Sequence, residues 1–181
     1  TDLVVAIDDN AVVSLARLFN EKAGRAYLAG RGVPESLVAR LDLLGFSGLA
    51  NLLSAIKYAR YFELGEHDVV LTVLTDSMEL YRSRLQEMHK EYGAYGESDA
   101  AAHFARYLQG ASTDNLLELT YPDRRRVHNL KYYTWVEQQG RSYEEIMDQW
   151  YTSDYWSSLP GQIEEIDALI EEFNRRVGVE K

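Results

Sequence analysis

"VVLTVLTDSMELYRSRL", residues 69–85, decides how the chain is read. Val69 to Leu74 is a run of apolar and β-branched residues, the pattern of a strand buried on both faces. Met78, Tyr81, Leu85, Met88 and Tyr92 then recur at helical spacing. Thr75-Asp76-Ser77 joins the two. Asp76 with Glu79 three residues later fits a capping box, which leaves Ser77 as a small polar filler in the first turn. A second reading rests on position. Ligands of parallel α/β folds bind beyond the carboxyl ends of the strands, and Ser77 would stand there.

Working outward, residues 3–7 read as another short buried strand. Asp8 and Asp9 offer cap oxygens to a helix in which Val12, Leu15, Ala16 and Phe19 share a face, with Gly24 at its exit. Pro34 starts a second helix carrying Leu37, Val38, Leu41 and Leu44. "GFSG", residues 45–48, turns into a long helix striped by Leu49, Leu52, Leu53, Ile56 and Ala59 and ended by Gly65. Strand, helices, strand and helix imply parallel strands with helical crossovers. Two strands cannot complete such a sheet, so this reading expects the others to lie upstream of Thr1. From Gly93 the character changes to a linker followed by helices near 99–109, 124–138, 143–150 and 162–177. In the last, Ile163, Ile166, Ile170, Phe173 and Val177 line one side and glutamates the other.

The chain has 181 residues, 46% hydrophobic and 27% charged, the balance of a globular protein. It contains no cysteine, which excludes disulfides, thiolate metal sites and cysteine nucleophiles. A net charge of −10 disfavours general attraction to nucleic acid or anionic lipid. No apolar run reaches the roughly 18 residues of a membrane span, and no secretory leader is apparent. A cytoplasmic location is expected.

Residues 43–85, with "LVVAIDDNAVVSLARLFNEKAG" before them, resemble the late part of the fold-type II pyridoxal-phosphate enzymes such as cysteine synthase and cystathionine β-synthase, the likeness covering roughly residues 1–92. The glycine spacing of Gly45-Phe46-Ser47-Gly48 is one residue shorter than that family's turn, and Thr75 replaces its common proline. The resemblance implies an α/β fold: residues 1–92 as the C-terminal portion of a parallel-sheet catalytic domain, and 93–181 as a helical extension. It implies pyridoxal 5'-phosphate as cofactor, with Ser77 as partner of the pyridine nitrogen and Gly45 and Ser47 bordering the ring. A neutral hydroxyl does not hold that nitrogen protonated, which suits β-elimination or β-replacement, lyase or transferase chemistry on a small amino acid. The Schiff-base lysine would lie upstream. Lys22, Lys57, Lys90, Lys131 and Lys181 have no matching context, and Lys57 reads as a solvated helix residue. This chain alone is therefore expected to be inactive, to need the N-terminal part of the same protein, and to serve in a homodimer. The alternative is a non-catalytic α/β and helical protein-interaction module.

Other motifs carry less. Gly45–Gly48 lacks the glycine spacing and preceding strand of a hydrolase elbow. His67, His89, His103 and His128 show no metal-binding spacing. "DRRRVHNLKYYTW", residues 123–135, interleaves basic and aromatic residues as single-strand nucleic-acid binders do. However, residues 142–173 hold nine Asp and Glu and no Lys or Arg, so pairing within the protein or across a subunit boundary is favoured and no nucleic acid is expected.

Overall fold

The computed structural model describes residues 2–179. Residues 3–118 form one compact unit; Asp2 with residues 119–179 form another.

The first unit is built around one helix. Strand β1 (Leu3–Val5) leads to α1 (Asp9–Asn20), whose first turn is capped by Asp8 Oδ1 accepting from Asn10 N at 2.9 Å. Val12, Leu15, Ala16, Leu18 and Phe19 are buried, so the apolar periodicity seen in the sequence marks the true core. Helix α2 (Lys22–Gly30) packs directly against α1. Gly24 lies inside α2 and does not end α1. A Cβ there would sit 2.1 Å from the Leu18 carbonyl oxygen, so glycine permits the close approach. A short helix α3 (Glu35–Val38) and a 3₁₀ turn (Leu41–Leu43) lead to α4 (Phe46–Tyr61), which buries Leu49 and Leu53. After residues 62–77, which form neither helix nor strand, a 3₁₀ turn (Met78–Tyr81), α5 (Arg82–Tyr92), α6 (Glu97–His103) and a π-helical turn (Phe104–Gln109) follow. Strand β2 (Leu116–Glu118) then pairs antiparallel with β1, Val4 opposite Leu117.

The expected parallel α/β fold is not present. The chain is 68% helical, and its one sheet has two antiparallel strands among the described residues. It is therefore not a fold-type II fragment. The reason lies in what each apolar run touches. Residues 3–5 find a partner at 116–118, where no strand was expected, while Val69–Leu74 forms no strand and joins no sheet among the described residues.

Buried polar chemistry closes the core. The Arg17 guanidinium donates to Gly93 O at 2.6 Å and lies 4.8 Å from the Tyr95 ring centroid. Tyr95 OH meets His103 Nδ1 at 3.0 Å. Burial pushes the Tyr95 phenol well above its ordinary range, and burial likewise lowers the His103 pKa, favouring the neutral imidazole.

In the second unit, Thr120 and Asp123 form a reciprocal cap for α7 (Tyr121–Asn129). A π-helical turn (Tyr132–Gln138) precedes α8 (Tyr143–Tyr151), capped by Ser142. His128 Nε2 donates to Ile146 O at 2.9 Å, and Lys131 Nζ to Gln149 Oε1 at 2.7 Å. Helix α9 (Tyr155–Ser158) and a 3₁₀ turn lead to α10 (Ile163–Val177), which Gly178 ends in the left-handed conformation. The expected pairing of the basic stretch with residues 142–173 takes a different form. Arg126 pairs with Asp123 of its own helix, Arg124 with Asp2, and Lys131 with the neutral Gln149. Among the described residues, no single helix is long and apolar enough to cross a membrane.

Candidate functional site

Asp76 organises the junction singled out in the sequence. Its carbonyl accepts from Gly45 N at 3.0 Å, and its carboxylate accepts from Tyr81 OH and from Thr75 Oγ1 at 3.2 Å. A Cβ on Gly45 would stand 2.3 Å from Asp76 Oδ1, so a side chain there would push the Asp76 carboxylate aside. Gly45 and the residue before Ser77 are thus brought together. Ser77 precedes the 3₁₀ turn, but its side chain makes no cap hydrogen bond. The expected capping box is absent because Asp76 spends its carboxylate on Tyr81; that bond raises the Tyr81 phenol pKa.

Ser47 faces elsewhere. It lines a cavity of about 640 Å³ with Asp9, Phe46, Tyr81, Arg84 and Glu87 among others; Ser77 does not line it. This cavity does not fit pyridoxal phosphate. No lysine lines it, its one arginine is paired to Glu87 at 2.9 Å, and the Asp9 and Glu87 carboxylates would repel a phosphate dianion. Mixed with pyridoxal phosphate, reduced with borohydride and weighed intact, the chain is expected to carry no stoichiometric single-lysine adduct. One adduct on one lysine would overturn this conclusion. No group of three or more His, Asp or Glu suited to a metal occurs among the described residues.

The more consequential site lies along β1. Ala6 N donates to Asn115 O at 2.9 Å, and the register pairs Val4 with Leu117. Antiparallel alternation therefore turns the N–H and C=O of Leu3 and Val5 to the opposite edge, where no backbone partner is found among the described residues. Val69–Thr72 runs along the other side of a cavity of about 390 Å³ that Val5 also lines; Asn51, Ser54, Ala55 and Tyr58 of α4 complete it. Val69–Leu74 makes no backbone–backbone hydrogen bond among the described residues; Asn51 Nδ2 donates to Val73 O at 2.9 Å. Val69 and Leu71 are 90% and 92% exposed. Val5 of β1 and the irregular segment Val69–Thr72 thus border one cleft together with residues of α4. Glu63, Glu66 and Asp68 precede the segment, and no Lys or Arg occurs from Phe62 to Tyr81.

One anchoring residue escaped the sequence reading. Lys57, expected on a solvated face, has a side chain only 13% exposed; its Nζ donates to Asp114 O at 2.9 Å and Asp114 Oδ1 at 2.8 Å. That ammonium and the Ser112 hydroxyl lower the Asp114 pKa. Arg60 bonds Gln109 O at 3.1 Å and Tyr61 bonds Glu118 Oε1 at 2.8 Å, so α4 holds the whole return to β2. The only local signal was a cationic and a phenolic residue one turn apart, with partners far along the chain. No protein family, curated protein or solved structure matches the chain.

Proposed function

We propose that residues 3–118 act as a non-catalytic interaction module that accepts an extended apolar polypeptide strand between β1 and Val69–Leu74. One observation carries the reading: Val69–Leu74 combines apolar side chains on both faces with backbone groups that pair with no other backbone. An exposed, flat, apolar strand edge is a template for another strand. Main-chain hydrogen bonds supply affinity in this mode, and alternate side chains supply selectivity. The acidic run before Val69 favours a partner carrying Lys or Arg at that end. Pyridoxal-phosphate catalysis, by contrast, rests on the sequence resemblance alone, and the residues bordering the Ser47 cavity give it no cradle.

The test is amide hydrogen exchange with a synthetic strand of alternating valine and threonine ending in lysine. Protection is expected at Leu3, Val5 and within 69–74. Successive strand amides point to opposite edges, so either Val70→Pro or Leu71→Pro removes a donor from the cleft. That variant is expected to weaken binding about tenfold while leaving unfolding unchanged, since no native backbone bond is lost. Absence of protection, or equal binding by both proline variants, would refute the proposal.

A further inference from the structure

We infer that the basic and aromatic stretch of the second unit forms a binding site for a free mononucleotide, with tyrosines for the base and arginine for the phosphate. Tyr121, Arg125, Arg126, Tyr132, Tyr133 and Tyr143 line one open cavity of about 640 Å³. That lies within the range of small-molecule sites, roughly 300–1,000 Å³. No carboxylate lines it. The acidic residues of 142–173, expected to neutralise this stretch, leave it charged. The Arg125 guanidinium makes no hydrogen bond or ion pair among the described residues. Arg126 has only Asp123, 3.6 Å away and bonded to Thr120 through its other oxygen. An exposed pair of that kind is worth little and yields to a dianion.

The lining selects the ligand. Tyr121, Arg125 and Asn129 stand on successive turns of α7 and share a side. Arg125 offers a planar fork of donors to a phosphate. The Asn129 amide, without a hydrogen-bond partner among the described residues, presents a donor and an acceptor together, which matches the edge of adenine. Tyrosine rings stack on bases. Two of them are held in place. Tyr121 meets the Trp150 ring at 5.6 Å and accepts from its Nε1 at 3.3 Å, and Tyr132 meets Tyr143 edge-on at 6.3 Å. A phosphate alone would leave the tyrosines unused, and a neutral ring would leave Arg125 unpaired. The net charge of −10 weighs most on a long polyanion, which favours a single nucleotide over a strand.

Equilibrium dialysis of the full chain against adenosine 5'-monophosphate (AMP) is expected to show saturable binding. Adenosine and inorganic phosphate, each carrying part of the ligand, should bind at least about tenfold more weakly. Phenyl phosphate, which has the anion and a ring but no purine edge, should also bind more weakly than AMP. Arg125 and Tyr133 are exposed, so replacing either leaves the fold intact. Arg125→Gln is expected to weaken AMP about tenfold and leave adenosine unchanged. Tyr133→Leu should weaken AMP and adenosine alike and leave phosphate unchanged. Arg124→Gln should bind AMP as wild type does, because Arg124 pairs with Asp2 and does not line the cavity. The inference would be overturned by no retention of AMP at about 1 mM, or by adenosine, phosphate or phenyl phosphate binding as tightly as AMP. Equal losses in Arg124→Gln and Arg125→Gln, or a short oligoadenylate binding more than about tenfold tighter than AMP, would overturn it too.

Discussion

Gly24→Ala is expected to destabilise the first unit by about 2–3 kcal/mol, against the usual direction for glycine in a helix. In an open helix the change would gain about 1 kcal/mol of propensity. Here the new methyl would lie 2.1 Å from Leu18 O, 2.7 Å from Leu18 C and 2.8 Å from Leu18 Cα. These are backbone atoms of α1, which cannot swing aside as a side-chain tip can. Helices α1 and α2 must separate, which loosens the packing around Leu18 and Leu28, both buried in the same core. Urea unfolding decides it: a midpoint equal to or above wild type would mean that α2 is not seated on α1 as described.

Arg17→Met is expected to cost about 2–3 kcal/mol, the next largest effect. The aliphatic stem can be replaced, but the charge cannot. The Gly93 carbonyl loses its 2.6 Å donor, Tyr95 its stacked cation, and Glu21 its partner at 3.7 Å. The loss is moderated because Arg17 Nε is itself buried without a hydrogen-bond partner, a cost that the wild type already bears. Arg17→Lys should recover only part of the loss, since an ammonium cannot both stack on Tyr95 and reach Gly93 with a planar fork. Equal stability of Arg17→Met and wild type in thermal unfolding would show that the Gly93 turn is held by other contacts.

The helices were legible in the sequence because helical burial is a local pattern. Val12, Leu15, Ala16 and Phe19 share a face at fixed spacing whatever lies opposite, and all four are buried. The first strand was legible as an apolar run, Leu3–Val5 lying within residues 3–7, but its partner was not, because pairing depends on another segment. Val69–Leu74 has the composition of an interior strand and yet joins no sheet, while Leu116–Glu118 finds β1 with little signal of its own. Periodicity in α10 identified the apolar side correctly, but the stripe is open to solvent. Gly45 and Asp76 meet, a contact that the reading of Asp76 as a helix cap did not name. Ser77 does not line the cavity that Ser47 lines; Ser47 belongs to α4 and Ser77 stands before the 3₁₀ turn Met78–Tyr81.

The two-stranded sheet also says something about what assembles what. Pairing Leu3 with Glu118 closes nearly the whole unit into a ring, at an entropic cost of about 4 kcal/mol for a loop of this length. Strands of three residues return little of that. What keeps the ring shut is α4, through Lys57, Arg60 and Tyr61, acting as a clasp on residues 109–118. The sheet is then a product of the helical core and not its nucleus. A segment free to pair late is also one whose outer edge stays open to a newcomer.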